Sequence, residues 1–183
     1  MSSSPATEAR YRTVFDRHHE QVYAYFRRRI DMETARDCTA ETFVVAWRKV
    51  GDIPEGSELR WLYMVARNVL RNAYRAKRRS RVTLTDISDR PDGVDSPETI
   101  VVRNEEDGEV IEALHRLKRN DQEILLLSVW EELPRDEVAA ILGCSPHAAS
   151  QRLHRASRRL AAELNHRRPP TTRLALRREE RPT

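Results

Sequence analysis

The sequence predicts an all-α protein of two small helical domains joined by a flexible acidic linker, the second domain a helix-turn-helix. Three observations carry this. Apolar residues recur at three- to four-residue spacing rather than alternating, and only 5 glycines interrupt 183 residues. Charge is segregated: Arg67 to Arg81 holds seven basic residues and no acidic one, whereas Val82 to Ile111 holds nine acidic residues against Arg90 and Arg103. Finally, Gly143 to Pro146 forms a helix-stop, helix-start signal between a short apolar helix and a long basic one.

In chain order, residues 1–7, with three serines and a proline, form a disordered N-terminus. From Glu8 to Ile30 the residues Tyr11, Val14, Phe15, His18, Val22, Tyr25, Phe26 and Ile30 recur at helical spacing and predict a long amphipathic helix. Asp31 caps the next helix, Glu33 to Val50, with Ala35, Cys38, Thr39, Thr42, Phe43, Ala46 and Val50 inward and Asp37, Glu41, Arg48 and Lys49 outside. The Gly and Pro of GDIPEGS, Gly51 to Ser57, make a loop, and Ser57 caps a third helix running to about Arg79. Leu62, Val65, Val69 and Ala73 form its apolar stripe. Trp61, Met64, Asn68, Arg71 and Arg75 form a second, mixed stripe at the same period.

The segment from Arg79 to about Glu105 carries Pro91, Gly93 and Pro97 among its acidic residues and is expected to be a linker. A helix resumes near Glu106 with Val110, Ile111, Leu114 and Leu117 inward. Asn120 then caps a helix holding Ile124, Leu125, Leu126, Val129 and Trp130, and Glu123 completes a capping-box pattern with it. From Arg135, Val138, Ala139, Ile141 and Leu142 cover one face up to Gly143. Ser145 supplies an N-cap and Pro146 a first helical residue. The following helix turns Ala149, Leu153, Ala156, Leu160 and Leu164 inward and Gln151, Arg152, Arg155, Arg158 and Arg159 elsewhere. After Asn165 a mobile tail of mixed charge and two prolines is expected.

These residues point to nucleic acid. A net charge of +4, from 33 Lys and Arg against 29 Asp and Glu, is a weak argument by itself, but its distribution is informative. The second helix of a helix-turn-helix enters the major groove, and Arg and Gln there suit base edges and phosphates. An aromatic and an amide on the basic face of the third helix can stack on and hydrogen-bond to unstacked bases. Two cysteines, Cys38 and Cys144, lie in separate segments as small buried residues without ligand spacing, and Cys144 with His147 makes too few ligands for zinc. His18 and His19 are adjacent, so they point apart. No cofactor is expected, and no apolar run of about 18 residues predicts membrane insertion. An enzyme would need carboxylate or His clusters that the chain does not gather.

Three segments, DCTAETFVVAWRKV, LRWLYMVARNVLRNAYRAKRR and DEVAAILGCSPHAASQRLHRASRRL, resemble in order the core-binding, promoter-melting and upstream-element segments of the extracytoplasmic-function sigma factors. These are sigma-70-type transcription initiation factors with only two domains. The likeness covers about Tyr11 to Arg79 and Leu114 to Leu164.

It implies a core-polymerase and minus-10 domain over 8–79, an acidic linker over 80–105, a minus-35 domain over 106–165 and a flexible tail over 166–183. By resemblance, Asp37, Glu41, Thr42, Phe43 and Trp47 dock on core RNA polymerase. The loop Gly51 to Glu58 with Trp61, Arg67, Asn68, Arg71 and Arg75 meets the minus-10 element. Ser145, His147, Ala148, Ser150, Gln151, Arg152 and Arg155 meet the minus-35 element. The implied partners are core RNA polymerase, promoter DNA and an anti-sigma factor; no small-molecule substrate is implied, and the setting is cytoplasmic. Relatives often carry Thr-Val and Lys-Ser where this chain has Ala148-Ala149 and Ser150-Gln151, which leaves fewer long polar groups for base contacts. The competing expectation is a helix-turn-helix regulator that is not a polymerase subunit. The basic helix with Trp61 and Asn68 favours strand capture over the ligand-sensing domain such a regulator would need.

Overall fold

A computed structural model describes residues 4–84 and 105–167 of the chain. All regular structure among them is helical: α1 (Pro5–Arg27), α2 (Met32–Arg48), α3 (Glu58–Leu84), α4 (Glu105–Arg116), α5 (Arg119–Leu125), α6 (Arg135–Leu142) and α7 (Pro146–Arg167). A 3-10 turn, Val50–Asp52, precedes α3, and a π-turn, Leu126–Trp130, follows α5. The expected linker residues 85–104 and tail residues 168–183 lie outside the described set.

The first three helices pack on one another around Val22, Tyr25, Phe26, Ala35, Phe43, Ala46, Leu62 and Ala66. Their starts and stops follow local chemistry. Asp31 accepts a hydrogen bond from the Thr34 amide at 2.9 Å and so satisfies an otherwise orphaned donor of α2; this contact holds its carboxyl below the usual range. The Arg10 guanidinium donates to the carbonyl of Ile53 and ties the loop before α3 to α1. Helix α1 begins at Pro5, three residues before the expected start, because Pro at a first helical position gives up no hydrogen bond. Helix α3 runs to Leu84 rather than Arg79, so residues 80–84, expected in the linker, are helical.

The remaining helices form the second unit. Gly143 adopts φ +66°, and the amides of Gly143 and Cys144 donate to the carbonyls of Ala140 and Ala139, a Schellman stop for α6. Ser145 then accepts from the Ala148 amide at 3.2 Å and starts α7. Helix α7 lies on α4, α5 and α6 through Ala149 and Ala156, with Leu153 and Leu160 half-buried beside them. It continues through Arg167, so His166 and Arg167, expected in the tail, are helical.

Three expectations are corrected. Asn120 does not cap α5: the N-cap lies two residues earlier, at Lys118, with no side-chain cap. Gln122 instead turns back and donates to the carbonyls of His115 and Leu117, closing the end of α4. Glu123 is drawn away from any capping box by Arg29, just past the end of α1, a stronger, charge-assisted partner. Cys144 is half-buried rather than buried, because it stands just past the Gly143 turn. Val129 is 56% exposed, since the π-turn rotates it out of the core face.

The two units touch. Helix α6 packs against α3, and the buried residues of both units form one contiguous cluster.

Candidate functional site

Three exposed surfaces collect the residues singled out by sequence. The first is the α1–α2 face. Asp37 and Glu41 are exposed one turn apart on α2, and Trp47 (37% exposed) and Val44 (47%) stand near them. An apolar groove of about 650 Å³ runs between Tyr11, Phe15, Phe43, Val44 and Trp47 and is edged by Glu8 and Arg12. Tyr11 meets Trp47 edge-on at 5.0 Å between centroids, and Phe15 meets Phe43 edge-on at 4.8 Å, so the walls are rigid aromatic pairs. Thr42 does not reach this surface. It is fully buried and its hydroxyl donates to the Cys38 carbonyl at 2.8 Å, because the residue falls on the core side of α2. Phe43 is 2% exposed and contributes to the groove as a wall beneath the surface.

The second surface is the outer face of α3. Met64, Asn68, Arg71 and Arg75 are exposed in a line, Arg67 is half-exposed beside them, and Trp61 is half-buried against the core at the N-terminal end. The loop before it holds Gly56 at φ +73°, a conformation that favours glycine. The helix thus offers a cationic, amide-bearing face with one aromatic ring fixed at its edge.

The third is α7. Gln151, Arg152 and Arg155 are exposed, with His147 within 2.9 Å of the Gln151 amide nitrogen. Ser145 is spent on capping. Ser150 donates to the Pro146 carbonyl, and Ala148 is half-buried. The long polar groups available to a groove are therefore Gln151, Arg152 and Arg155.

Family models decide what these surfaces belong to. One described as Sigma-70 region 2 matches residues 14–80, and one described as Sigma-70, region 4 matches residues 107–160. RNA polymerase sigma factor YlaC of Bacillus subtilis is 32% identical over 150 residues, spanning 78% of this chain and 85% of YlaC. The chain belongs to the sigma-70 family, in its extracytoplasmic-function group.

Other relatives agree. RNA polymerase sigma factor CnrH of Cupriavidus metallidurans is 31% identical over 142 residues, covering 70% of this chain and 72% of CnrH. The ECF sigma factor BldN of Streptomyces coelicolor is 30% identical over 152 residues, 81% of this chain and 58% of BldN. Among solved structures, RpoE of Bartonella quintana in complex with the anti-sigma factor NepR aligns with TM-score 0.65 at 21% identity, over 86% of this chain and 98% of RpoE. CnrH with the cytosolic domain of CnrY aligns with TM-score 0.62 at 24% identity, over 86% and 88%. Both share the all-α fold. A sigma factor, rather than a free-standing regulator, is the reading these relatives support.

One group of residues in this sigma factor escaped the sequence reading. Arg29 is buried and forms ion pairs with Glu123 (2.9 Å) and Glu131 (3.1 Å); Arg28 also reaches Glu131 at 3.0 Å. Tyr25 donates to Glu123 and Tyr63 to Glu131. Burial, then the adjacent Glu123 carboxylate, push the Tyr25 phenol well above its ordinary range; burial and Glu131 raise Tyr63 likewise. Burial alone would weaken the charge on Arg29, but Glu123 leads the groups that outweigh it and raise its pKa. The missed signal was the run of three arginines, Arg27 to Arg29, ending an amphipathic helix, where a solvated end was the simpler reading.

Among the described residues no helix is long and apolar enough to cross a membrane, and no group of three or more His, Cys, Asp or Glu could hold a metal ion.

Proposed function

We infer that this sigma factor assigns its three surfaces to three tasks in initiation. The α2 face, through Asp37, Glu41 and Trp47, docks on core polymerase, with Thr42 and Phe43 supporting the helix from beneath. The outer face of α3, with Trp61, Arg67, Asn68, Arg71 and Arg75, takes the minus-10 element, including bases that have left the stack. Helix α7 takes the minus-35 duplex, with Gln151, Arg152 and Arg155 towards the groove, Ser145 fixing the helix start, and His147, Ala148 and Ser150 lining the approach. The residue boundaries are 8–79 and 106–165 for the two functional units.

The observation that carries this reading is that three differently built exposed surfaces, one carboxylate-edged and aromatic, two cationic, lie on three different helices, α2, α3 and α7. The protein acts as a non-catalytic subunit in the cytoplasm. An anti-sigma factor is its expected inhibitor, because the solved relatives RpoE and CnrH were each captured with such a partner or its domain. The α1–α2 groove is the place for its apolar contacts.

The test is reconstitution. The purified chain added to core polymerase should give promoter-specific transcripts, and Asp37→Arg with Glu41→Arg should abolish core binding while the helical content stays unchanged. A folded double variant that binds core polymerase as tightly as the parent would remove the α2 assignment.

A further inference from the structure

We propose that His147 is a positioning residue for base readout, holding the Gln151 amide in the one orientation that reads an adenine in the minus-35 duplex. The proposal rests on assigning α7 to that duplex.

Several polar groups of α7 and its cap are committed to the protein itself. Ser145 caps the helix, Ser150 donates to the Pro146 carbonyl at 3.0 Å, Arg159 reaches Asp121 at 2.6 Å and Glu163 accepts from Arg116 at 3.1 Å. Arg152 and Arg155 are exposed and make no ion pair among the described residues. An arginine presents only donors whichever way it turns, so it needs no help to face phosphate or the acceptors of guanine. Gln151 is different. Its amide carries an acceptor beside donors, and half a turn exchanges them.

His147 settles that exchange. The two residues are exposed and stand four apart on α7, where helical side chains are neighbours, and Nε2 of Gln151 lies 2.9 Å from Nε2 of His147. An amide nitrogen only donates, so the ring nitrogen accepts and the ring proton sits on Nδ1. The amide N–H that points back along its own stem is the one able to reach a neighbour on the same helix. The other N–H and Oε1 are left side by side as a fork. In water the bond to His147 competes with solvent; pressed against a duplex it loses that competitor and strengthens.

The fork fits one base. In the major groove adenine offers N7 as an acceptor beside the N6 amino group as a donor, which together take the N–H and the Oε1 of the fork. Guanine offers N7 and O6, both acceptors, so Oε1 would face O6 with no proton between them. That unpaired contact disfavours guanine while the fork favours adenine. Cytosine, with a donor, and thymine, with an acceptor, each satisfy only half of the fork. Ala148, next to His147, carries only a methyl and does not crowd it.

A donor-only side chain at position 147 would reverse the arrangement. It would take Oε1, turn the amide round and present N–H groups to the groove, which suits the acceptors of guanine. An acceptor-only side chain would keep the fork as it is.

The test reads this contrast in the reconstituted holoenzyme. At fixed salt, it selects from promoter duplexes randomised across the minus-35 and minus-10 segments, and the bound duplexes are sequenced. The parent should show one minus-35 position at which adenine is favoured over guanine at least about tenfold, equivalent to about 1.4 kcal/mol. Gln151→Ala should level that position alone. There, His147→Ala should cut the preference at least about threefold, His147→Glu should retain it, and His147→Lys should turn it towards guanine. Charge at position 147 alters affinity for all duplexes alike, so the ratio between bases is the readout. A role confined to starting the helix would move affinity and leave the ratio unchanged. Equal ratios for His147→Glu and His147→Lys, or a parent-like ratio in His147→Ala, would overturn the proposal while Arg152→Ala still changed the selected minus-35 sequence. If neither Gln151→Ala nor Arg152→Ala changed any minus-35 position, the assignment of α7 would fail and this proposal with it.

Discussion

Helices α3 and α7 are both long, basic and amphipathic, yet they are seated differently. Helix α3 is walled in by α1 and α2 and touched by α6, and it buries Leu62, Tyr63, Ala66, Val69 and Leu70. One face stays open. Helix α7 rests on its neighbours mainly through the small side chains of Ala149 and Ala156, and most of its circumference is exposed. A helix about 10–12 Å across fits a major groove about 12 Å wide only if it stands clear of its own domain. An unstacked base needs a single fixed face. The difference in burial therefore supports the proposed difference in the state of the DNA each helix meets.

The largest expected effect tests the seating itself. Leu62→Ala should destabilise the chain by about 2–5 kcal/mol, because a fully buried leucine leaves a cavity. Leu153→Ala under α7 should cost about 1–2 kcal/mol, since that side chain is only half-buried. Equal losses in urea unfolding would erase the distinction between the two helices.

Next comes the DNA. Arg152→Ala should weaken promoter binding by about 1–3 kcal/mol if the guanidinium meets a base edge. Asn68→Ala should cost a similar amount, but only after strand separation. At fixed salt, a promoter premelted with mismatches across its minus-10 segment should rescue Asn68→Ala and do little for Arg152→Ala. Equal rescue of both would mean that the two helices do not divide the work as their burial suggests.

How much of this was legible in the sequence follows from how local each signal was. The outer stripe of α3, the Asp31 cap and the Gly143–Ser145 turn depend on residues within one or two turns, and period and capping chemistry place them. Tyr63 and Tyr74 were missed as an inward face because Glu131 and Arg119, which they meet, lie far along the chain, so the pattern alone left α3 with two faces where it has three. Glu123 fitted a capping box locally, yet a charge-assisted bond to Arg29 outweighs a helix cap. Thr42 was carried over by resemblance to a surface, while its own spacing with Cys38, Thr39 and Ala46 had placed it inside. The three surfaces were thus legible as sequence, and the seam between the units was not.

A smaller effect sharpens the picture of how α7 begins. Ser145→Ala removes the one side-chain cap at its start and should cost about 1 kcal/mol of stability. Binding to minus-35 duplex should fall as the first turn frays, while minus-10 strand capture stays unchanged.

The smallest effect is one of pH. Both ring nitrogens of His115 in α4, a helix that supports α7, are buried without a hydrogen-bond partner among the described residues, and burial lowers its pKa below 6.5. The unfolded chain then binds this proton at higher pH than the folded chain does. The stability it supplies is complete above about pH 6.5 and is lost as pH falls from there towards the lowered folded value. Urea midpoints measured from pH 7 down to pH 5 should show this slope in the parent and a flatter one in His115→Leu.

The two thiols give the molecule its own clocks. Cys38 lies in the α2 core beside Thr39 and Thr42, and burial pushes its pKa up to about 11, so at neutral pH only about one molecule in ten thousand carries the reactive thiolate. Alkylation at that position must wait for the three-helix unit to breathe open. Cys144, half-exposed at the bend before α7, has no such wait. A single alkylating reagent, followed by mass spectrometry, would time the loosening of the three-helix unit at Cys38 against Cys144 as an internal reference in one sample, without a dye or an engineered reporter.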